Sequence, residues 1–106
     1  MSCDVLYNVN SILVTPCLVN DYIQFSNQLN QYLIKKYGRY YIGLQLYEDN
    51  NICNSFYVIA SYRNIPGLCK AIKVISNDIS NIYERVWGDK VERTSVFSFT
   101  NYKKII

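Results

Sequence analysis

The 106-residue chain contains no histidine, few glycines and prolines, and no cysteine pair in C-x-x-C spacing. Without histidine, the serine–histidine and cysteine–histidine nucleophile pairs are excluded. Zinc has little support, because its ligands usually come in close cysteine or histidine pairs. No stretch approaches the roughly 20 apolar residues that span a bilayer. We therefore predict no metal, no cofactor and no membrane association.

The cysteines predict a reducing compartment. They lie at Cys3, Cys17, Cys53 and Cys69. Because none sits in a redox-type pair, we expect four free and mostly buried thiols. The N-terminus carries Asp4 and lacks both a basic cluster and an apolar region with a small-residue cleavage site, so it does not match a secretory signal. A cytoplasmic location is the expectation.

What is present is typical of one globular domain spanning residues 1–106. Half of the residues are hydrophobic and 18% are charged, a balance that disordered chains do not show. The 11 basic and 8 acidic residues give a mild net charge of +3. Because the basic residues are scattered through the sequence, nucleic acid is disfavoured as the main partner.

The order of apolar patterns predicts a β-α-β-β-α-β chain. Strand one covers Val5 to Thr15 and stops at Pro16, and Asn20 or Asp21 caps the first helix, which Gly38 closes. The next two strands are "RYYIGLQLY" and "SFYVIASY", joined by a polar turn. The second helix follows "NIPG" and shows the clearest periodicity of the chain. Its apolar positions are Leu68, Ile72, Ile75, Ile79, Ile82 and Val86. "TSVFSF" is the last strand, and "NYKKII" is a tail.

This order predicts an α+β fold with both helices on one face of a four-stranded sheet, since right-handed crossovers place them together. The other face then needs a cover. Tyr41, Tyr57 and Phe97 are the aromatic residues predicted on it, and an uncovered aromatic face usually marks an interface.

The start of the chain carries a further pattern. Asn8 and Asn10 share one face of strand one, and their amides could simply satisfy backbone groups at the strand end. "SCDVLYNVN" also resembles the first strand of the macrophage migration inhibitory factor family of tautomerases, which carries an N-x-N pair soon after Met-Pro. "YIGLQLYED", "SFYVIASYRNIPG" and "TSVFSF" follow at similar spacings. The resemblance implies a tautomerase-like fold and a homotrimer.

The family's site residues match this chain unevenly. Its catalytic N-terminal proline corresponds to Ser2, whose primary amine is free only once Met1 is removed; with Met1 in place, the terminal amine sits one residue too far out. Its lysine corresponds best to Arg39, with Lys36 as second choice. Its amide-donating isoleucine corresponds to Ile65, followed here by Pro66.

The two polar late-strand positions of the family correspond to Phe97 and Phe99. The resemblance thus implies a vestigial pocket and a pseudoenzyme with tautomerase activity lost or nearly lost. Such a protein would act by binding, as a cytokine-like protein or an assembly component with a possible protein partner. Family members can be exported without a signal peptide, so export stays open.

Two other classes also stay open. A dimeric α+β-barrel enzyme of the antibiotic-monooxygenase type would suit "SFYVIASYRN" and the helix after it, although no catalytic group stands out. An RNA-binding plait is the third class, because "VLYNVN" faintly resembles an aromatic RNA-recognition strand. The third strand lacks the basic-Gly-aromatic pattern that such plaits carry.

Overall fold

The computed structural model describes residues 5–97, which form four strands and two helices in the predicted order. In chain order these are β1 Val5–Val14, α1 Val19–Tyr37, β2 Tyr41–Glu48, β3 Ser55–Arg63, α2 Leu68–Val86 and β4 Val91–Phe97. The predicted α+β class and the β-α-β-β-α-β order are therefore confirmed.

The four strands form one sheet in the order β2-β3-β1-β4, with every neighbouring pair antiparallel. Strands β1 and β2, which α1 connects, are separated in the sheet by β3. This is the split β-α-β arrangement of ferredoxin-like folds. Strands β2 and β4 form the two edges.

Alternation along the strands builds the core between the sheet and the helices. On β1, Leu6, Ile12 and Val14 are buried, and the alternate residues from Tyr7 to Leu13 face the opposite side. The helices complete the core with residues at helical spacing. The buried ones are Tyr22, Leu29 and Leu33 of α1 and Leu68 and Ile75 of α2. Burying each such side chain contributes about 1.5–3 kcal/mol.

Tyr41 is where the predicted open face is wrong. Its side chain is buried in the core, on the helix side of the sheet. The reason is a polar partner there, because the Tyr41 hydroxyl donates to the Asn30 side-chain oxygen at 3.0 Å. The same oxygen accepts the Leu44 backbone N–H at 2.9 Å. Asn30 of α1 thus occupies a donor on the β2 edge, where an extra strand could otherwise pair.

Three predicted boundaries also shift. Helix α1 begins at Val19, after a short 3₁₀ turn at Pro16–Leu18, so Asn20 and Asp21 lie inside its first turn rather than capping it. Helix α2 begins at Leu68, directly after Gly67, whose φ of 92° favours glycine. Strand β4 begins at Val91, three residues before the predicted "TSVFSF", because the Val14↔Val91 pairing extends the ladder with β1.

Candidate functional site

Two residues of the predicted vestigial pocket, Arg39 and Ile65, lie at the same end of the sheet. Tyr40 connects them. The Arg39 guanidinium carbon lies 5.7 Å from the centre of the Tyr40 ring, and the Tyr40 hydroxyl donates to the Pro66 carbonyl oxygen at 3.5 Å. The Arg63 N–H donates to the Tyr40 carbonyl at 2.7 Å, which fixes the end of β3 to the start of β2. The fold therefore brings the predicted cation near the Ile65 loop.

An open cleft of about 420 Å³ lies beside this loop. Its lining consists of Leu6, Asn64, Ile65, Pro66, Gly67, Leu68, Cys69 and Ile72. The Ile65 N–H, which the resemblance assigns to substrate binding, donates to the Arg63 carbonyl oxygen at 3.0 Å. A substrate would have to displace that bond. Arg39 does not line the cleft.

The other residues predicted for the pocket are described only in part. Ser2 and Phe99 lie outside the described residues. The backbone of Phe97 pairs with Val9 of β1, and its side chain also lies outside the description. Lys36, the second choice for the family's cation, is engaged elsewhere, because its ammonium lies 3.5 Å from the Asp78 carboxylate on α2.

Asp78 joins the two helices through tyrosines of α1. The hydroxyls of Tyr37 and Tyr32 donate to its carboxylate at 2.6 and 2.8 Å. Burial alone would raise the pKa of Asp78, but these hydrogen bonds and the charge of Lys36 outweigh it and hold the pKa below its ordinary value. The hydrogen bond to Tyr32, together with the Asp78 charge, raises the pKa of Lys36. The cluster is an ionised link between α1 and α2.

Asn8 and Asn10 face the helix side of the sheet, where they line a small, partly open cavity of about 30 Å³. A cavity of this size has room for one or two water molecules. The Asn8 side-chain oxygen is buried and has no hydrogen-bond partner among the described residues. Arg93 of β4 also lines the cavity. The N-x-N pair therefore points into the core, whereas the cleft beside Ile65 lies at the end of the sheet.

A second buried polar contact joins the helices near this cavity. The Tyr22 and Tyr83 hydroxyls share a hydrogen bond of 2.7 Å, and burial raises the pKa of both phenols. The Arg93 guanidinium lies 4.6 Å from the centre of the Tyr83 ring and donates to the Ser80 hydroxyl at 2.8 Å. Sequence reasoning missed this cluster, since its members come from three separate elements.

The face of the sheet away from the helices is uncovered among the described residues. Register places on it Tyr7, Val9 and Leu13 of β1, Tyr57 and Ile59 of β3, and Tyr47 of β2. We call these six residues the open face. Four of them are 39–50% exposed, a high value for aromatic and leucine side chains. The prediction for Tyr57 is confirmed, and Tyr7 and Tyr47 join it.

The described cysteines are free thiols, as predicted, but their predicted burial is wrong. Cys17, Cys53 and Cys69 are all exposed. Each lies where the chain turns at the surface: in the 3₁₀ turn before α1, in the β2–β3 connection, and in the first turn of α2. Cys3 lies outside the described residues.

Comparisons with known proteins do not assign the chain to a family. No protein-family model matches the chain, and no curated protein matches it significantly. Within residues 5–97, the side chains form no group of three or more histidine, cysteine or acidic residues that could hold a metal ion. In the same part of the chain, neither helix is long and apolar enough to cross a membrane.

Proposed function

We propose that this protein acts by binding, as an assembly component whose open face associates with further copies of the chain. The observation that supports this proposal is the open face itself. Its six members are apolar or aromatic, and six further positions on this side are uncharged: Gly43, Gln45, Ser55, Ser61, Ser11 and Thr94. The two charged residues that register places on this side, Arg63 and Glu92, lie at its opposite ends. Contiguous apolar surface of this kind marks interaction sites on soluble proteins.

Association through the sheet face is favoured over association through the β2 edge. The Leu44 N–H on that edge is already bound by Asn30 at 2.9 Å, so an added strand would lose a hydrogen bond that it needs. On the open face, by contrast, association removes apolar area from water at about 25 cal/mol per Å². The three-fold assembly implied by the family resemblance stays a prediction within this proposal.

Loss of tautomerase activity is the second part of the proposal, and it rests on the pocket residues. The Ile65 N–H is used by the Arg63 carbonyl, and Lys36 is paired with Asp78. Position 2 carries serine instead of the family's proline. Proton transfer needs a positioned base with a pKa near the working pH, and none of these three positions supplies one at the cleft.

Binding of RNA is disfavoured by the same face. Single-stranded nucleic acid needs cations along the path of its phosphates as well as stacking aromatics. Tyr7, Tyr47 and Tyr57 could stack bases, but Arg63 is the one cation that register places on this side of the described sheet. A protein surface fits the open face better than a polyanion does.

Light scattering coupled to size exclusion tests the proposal. We expect an oligomer at micromolar concentration, and Val9→Lys should convert it to monomer because it places a charge at the centre of the open face. Val74→Lys is the matched control: Val74 is 58% exposed on α2, and the same substitution there should leave the oligomer intact. A monomeric parent protein, or equal behaviour of the two variants, would contradict association through this face.

A further inference from the structure

The two ends of the sheet carry opposite charge. At the end where β1 begins lie Arg39 and Arg63, which we call the basic end. At the end where β2 stops and β4 starts lie Glu48, Asp49 and Glu92, which we call the acidic end. Asp89 and Lys90 also lie at the acidic end and offset each other. Arg93, on the helix side of β4, offsets one of the three carboxylates, so the acidic end of the sheet keeps a net negative charge.

The helix layer repeats this division. Helix α1 runs toward the basic end, and α2 starts there, so the lysines of both helices gather at that end of the molecule. These are Lys35, Lys36, Lys70 and Lys73. Asp78, which pairs with Lys36, is the acidic residue among them. The described chain is therefore electrically polar along its strands.

This polarity determines which arrangement of copies is favourable. In a three-fold ring whose strands run along the axis, equivalent ends of all subunits lie side by side, so like charges gather at each end. In a two-fold pair with antiparallel strands, the basic end of each copy meets the acidic end of the other. Such complementarity fixes register and suppresses wrong arrangements.

We infer that the open face pairs with the open face of a second copy in an antiparallel, two-fold dimer. This inference rests on the proposed function, because it specifies the partner and symmetry of the same surface. In this dimer each Arg63 faces Glu92 of the other copy.

Sheet geometry permits that pairing. Strands lie about 4.8 Å apart with a rise of about 3.3 Å per residue. Arg63 at the end of β3 and Glu92 near the start of β4 are therefore two strand spacings apart across the sheet and about eight residues apart along it. A two-fold axis that brings Arg63 of each copy onto Glu92 of the other leaves the strands of the two sheets about 40° apart. This angle is close to the roughly 30° of aligned sheet packing. The axis then passes near Val9, at the centre of the open face.

The area and the available donors also fit. Four strands of about eight residues present roughly 500 Å² per copy, or about 1,000 Å² in total, which reaches the lower range of specific interfaces. One guanidinium nitrogen of Arg63 donates to the Gly38 carbonyl at 2.7 Å. Because a guanidinium carries five N–H donors, Arg63 can also bind a carboxylate.

A charge exchange tests the inference. Arg63→Glu and Glu92→Arg should each weaken the dimer about tenfold, since each reversal places like charges together at two symmetric sites. The double variant should recover to within about threefold of the parent. Arg85→Glu and Glu84→Arg are matched controls on exposed positions of α2, and they should leave the dimer constant unchanged. Sedimentation equilibrium gives the constants, and circular dichroism checks that each variant is folded.

The outcomes separate the two proposals. A dimer with weakened single variants and a recovered double variant supports the antiparallel pairing. A trimer that Val9→Lys dissociates would overturn the inference and leave the proposed function standing. A monomer would overturn both. A dimer that is indifferent to the Arg63 and Glu92 reversals would overturn the antiparallel register.

Discussion

Replacing Tyr83 by phenylalanine should lower the free energy of unfolding by about 1–3 kcal/mol, because it leaves a buried hydroxyl without its partner. That hydroxyl belongs to Tyr22, whose side chain is 0% exposed and whose oxygen lies 2.7 Å from the Tyr83 oxygen. The ring contacts stay, since phenylalanine keeps the edge-to-face geometry toward Phe25 at 5.3 Å. The cost therefore reports the hydroxyl pair rather than packing.

The double variant makes this prediction sharper. Removing both hydroxyls replaces a hydrogen-bonded pair by two apolar groups of similar shape, which is close to neutral. Tyr22→Phe/Tyr83→Phe should thus be more stable than Tyr83→Phe alone, with a coupling of about 1–3 kcal/mol between the sites. Tyr40→Phe is the control, because its hydroxyl makes an exposed contact of 3.5 Å with the Pro66 carbonyl and its loss should change stability by about 0.5 kcal/mol or less.

Urea denaturation followed by tryptophan fluorescence measures the cycle, since Trp87 packs 5.9 Å from the Tyr22 ring centre. The slopes with urea should agree among the four proteins, so that midpoint differences report stability. Additive costs, with the double variant as unstable as the sum of the singles, would refute the reasoning. That result would mean that the two hydroxyls do not depend on each other as hydrogen-bond partners.

Three further predictions concern charge, thiols and activity. Asp78→Asn should cost about 1–2 kcal/mol at pH 7, because bonds to a charged acceptor are worth more than neutral ones. Since the folded pKa of Asp78 lies below its ordinary 3.8, this contribution is complete above about pH 5 and fades as the pH falls through the folded value. Urea titrations at several pH values measure this contribution. A stability difference between the parent protein and Asp78→Asn that stays constant down to pH 2 would contradict the prediction. Without denaturant, a thiol reagent should react with the three described cysteines, Cys17, Cys53 and Cys69, and mass spectrometry would count the adducts. A single adduct would contradict their exposure. Turnover of phenylpyruvate-type substrates should be at background. Ser2→Pro with Met1 removed should recover at most part of the 10²–10⁴-fold rate enhancement that a positioned acid–base group supplies. Robust turnover by the parent protein would contradict the loss of activity and favour an enzyme.

The fold class could be predicted because local patterns in this chain agree with the tertiary structure. The 4-3-4-3-4 apolar spacing of α2 survives as a helix that contributes Leu68 and Ile75 to the core. Boundaries set by tertiary pairing could not be predicted in the same way. Strand β4 starts at Val91 because β1 reaches it there, and no residue near Val91 signals that pairing in the sequence.

The candidate site was harder to predict from the sequence. Strand periodicity shows which residues share a face of the sheet, but it does not show which face the helices bury. Asn8 and Asn10 do share one side of β1, but it is the helix side, where they line a small cavity. Tyr41 was expected outside and lies inside because Asn30 offers its hydroxyl an acceptor. The open face was predicted from Tyr57, while Tyr7 and Tyr47 required the register.

Charge shows most clearly how the fold adds information to this sequence. Along the chain the basic residues are scattered, and that scatter argues against a concentrated charged surface. The chain reverses direction at nearly every element, however, so residues far apart in sequence return to the same end of the sheet. Arg39 precedes β2 and Arg63 ends β3, yet the Arg63 N–H bonds the carbonyl of Tyr40, the neighbour of Arg39. A polar molecule thus arises from a sequence without charge blocks. Because its open face runs from the basic to the acidic end, the orientation in which two copies meet should depend on salt: raising ionic strength should weaken an antiparallel dimer and strengthen a three-fold ring.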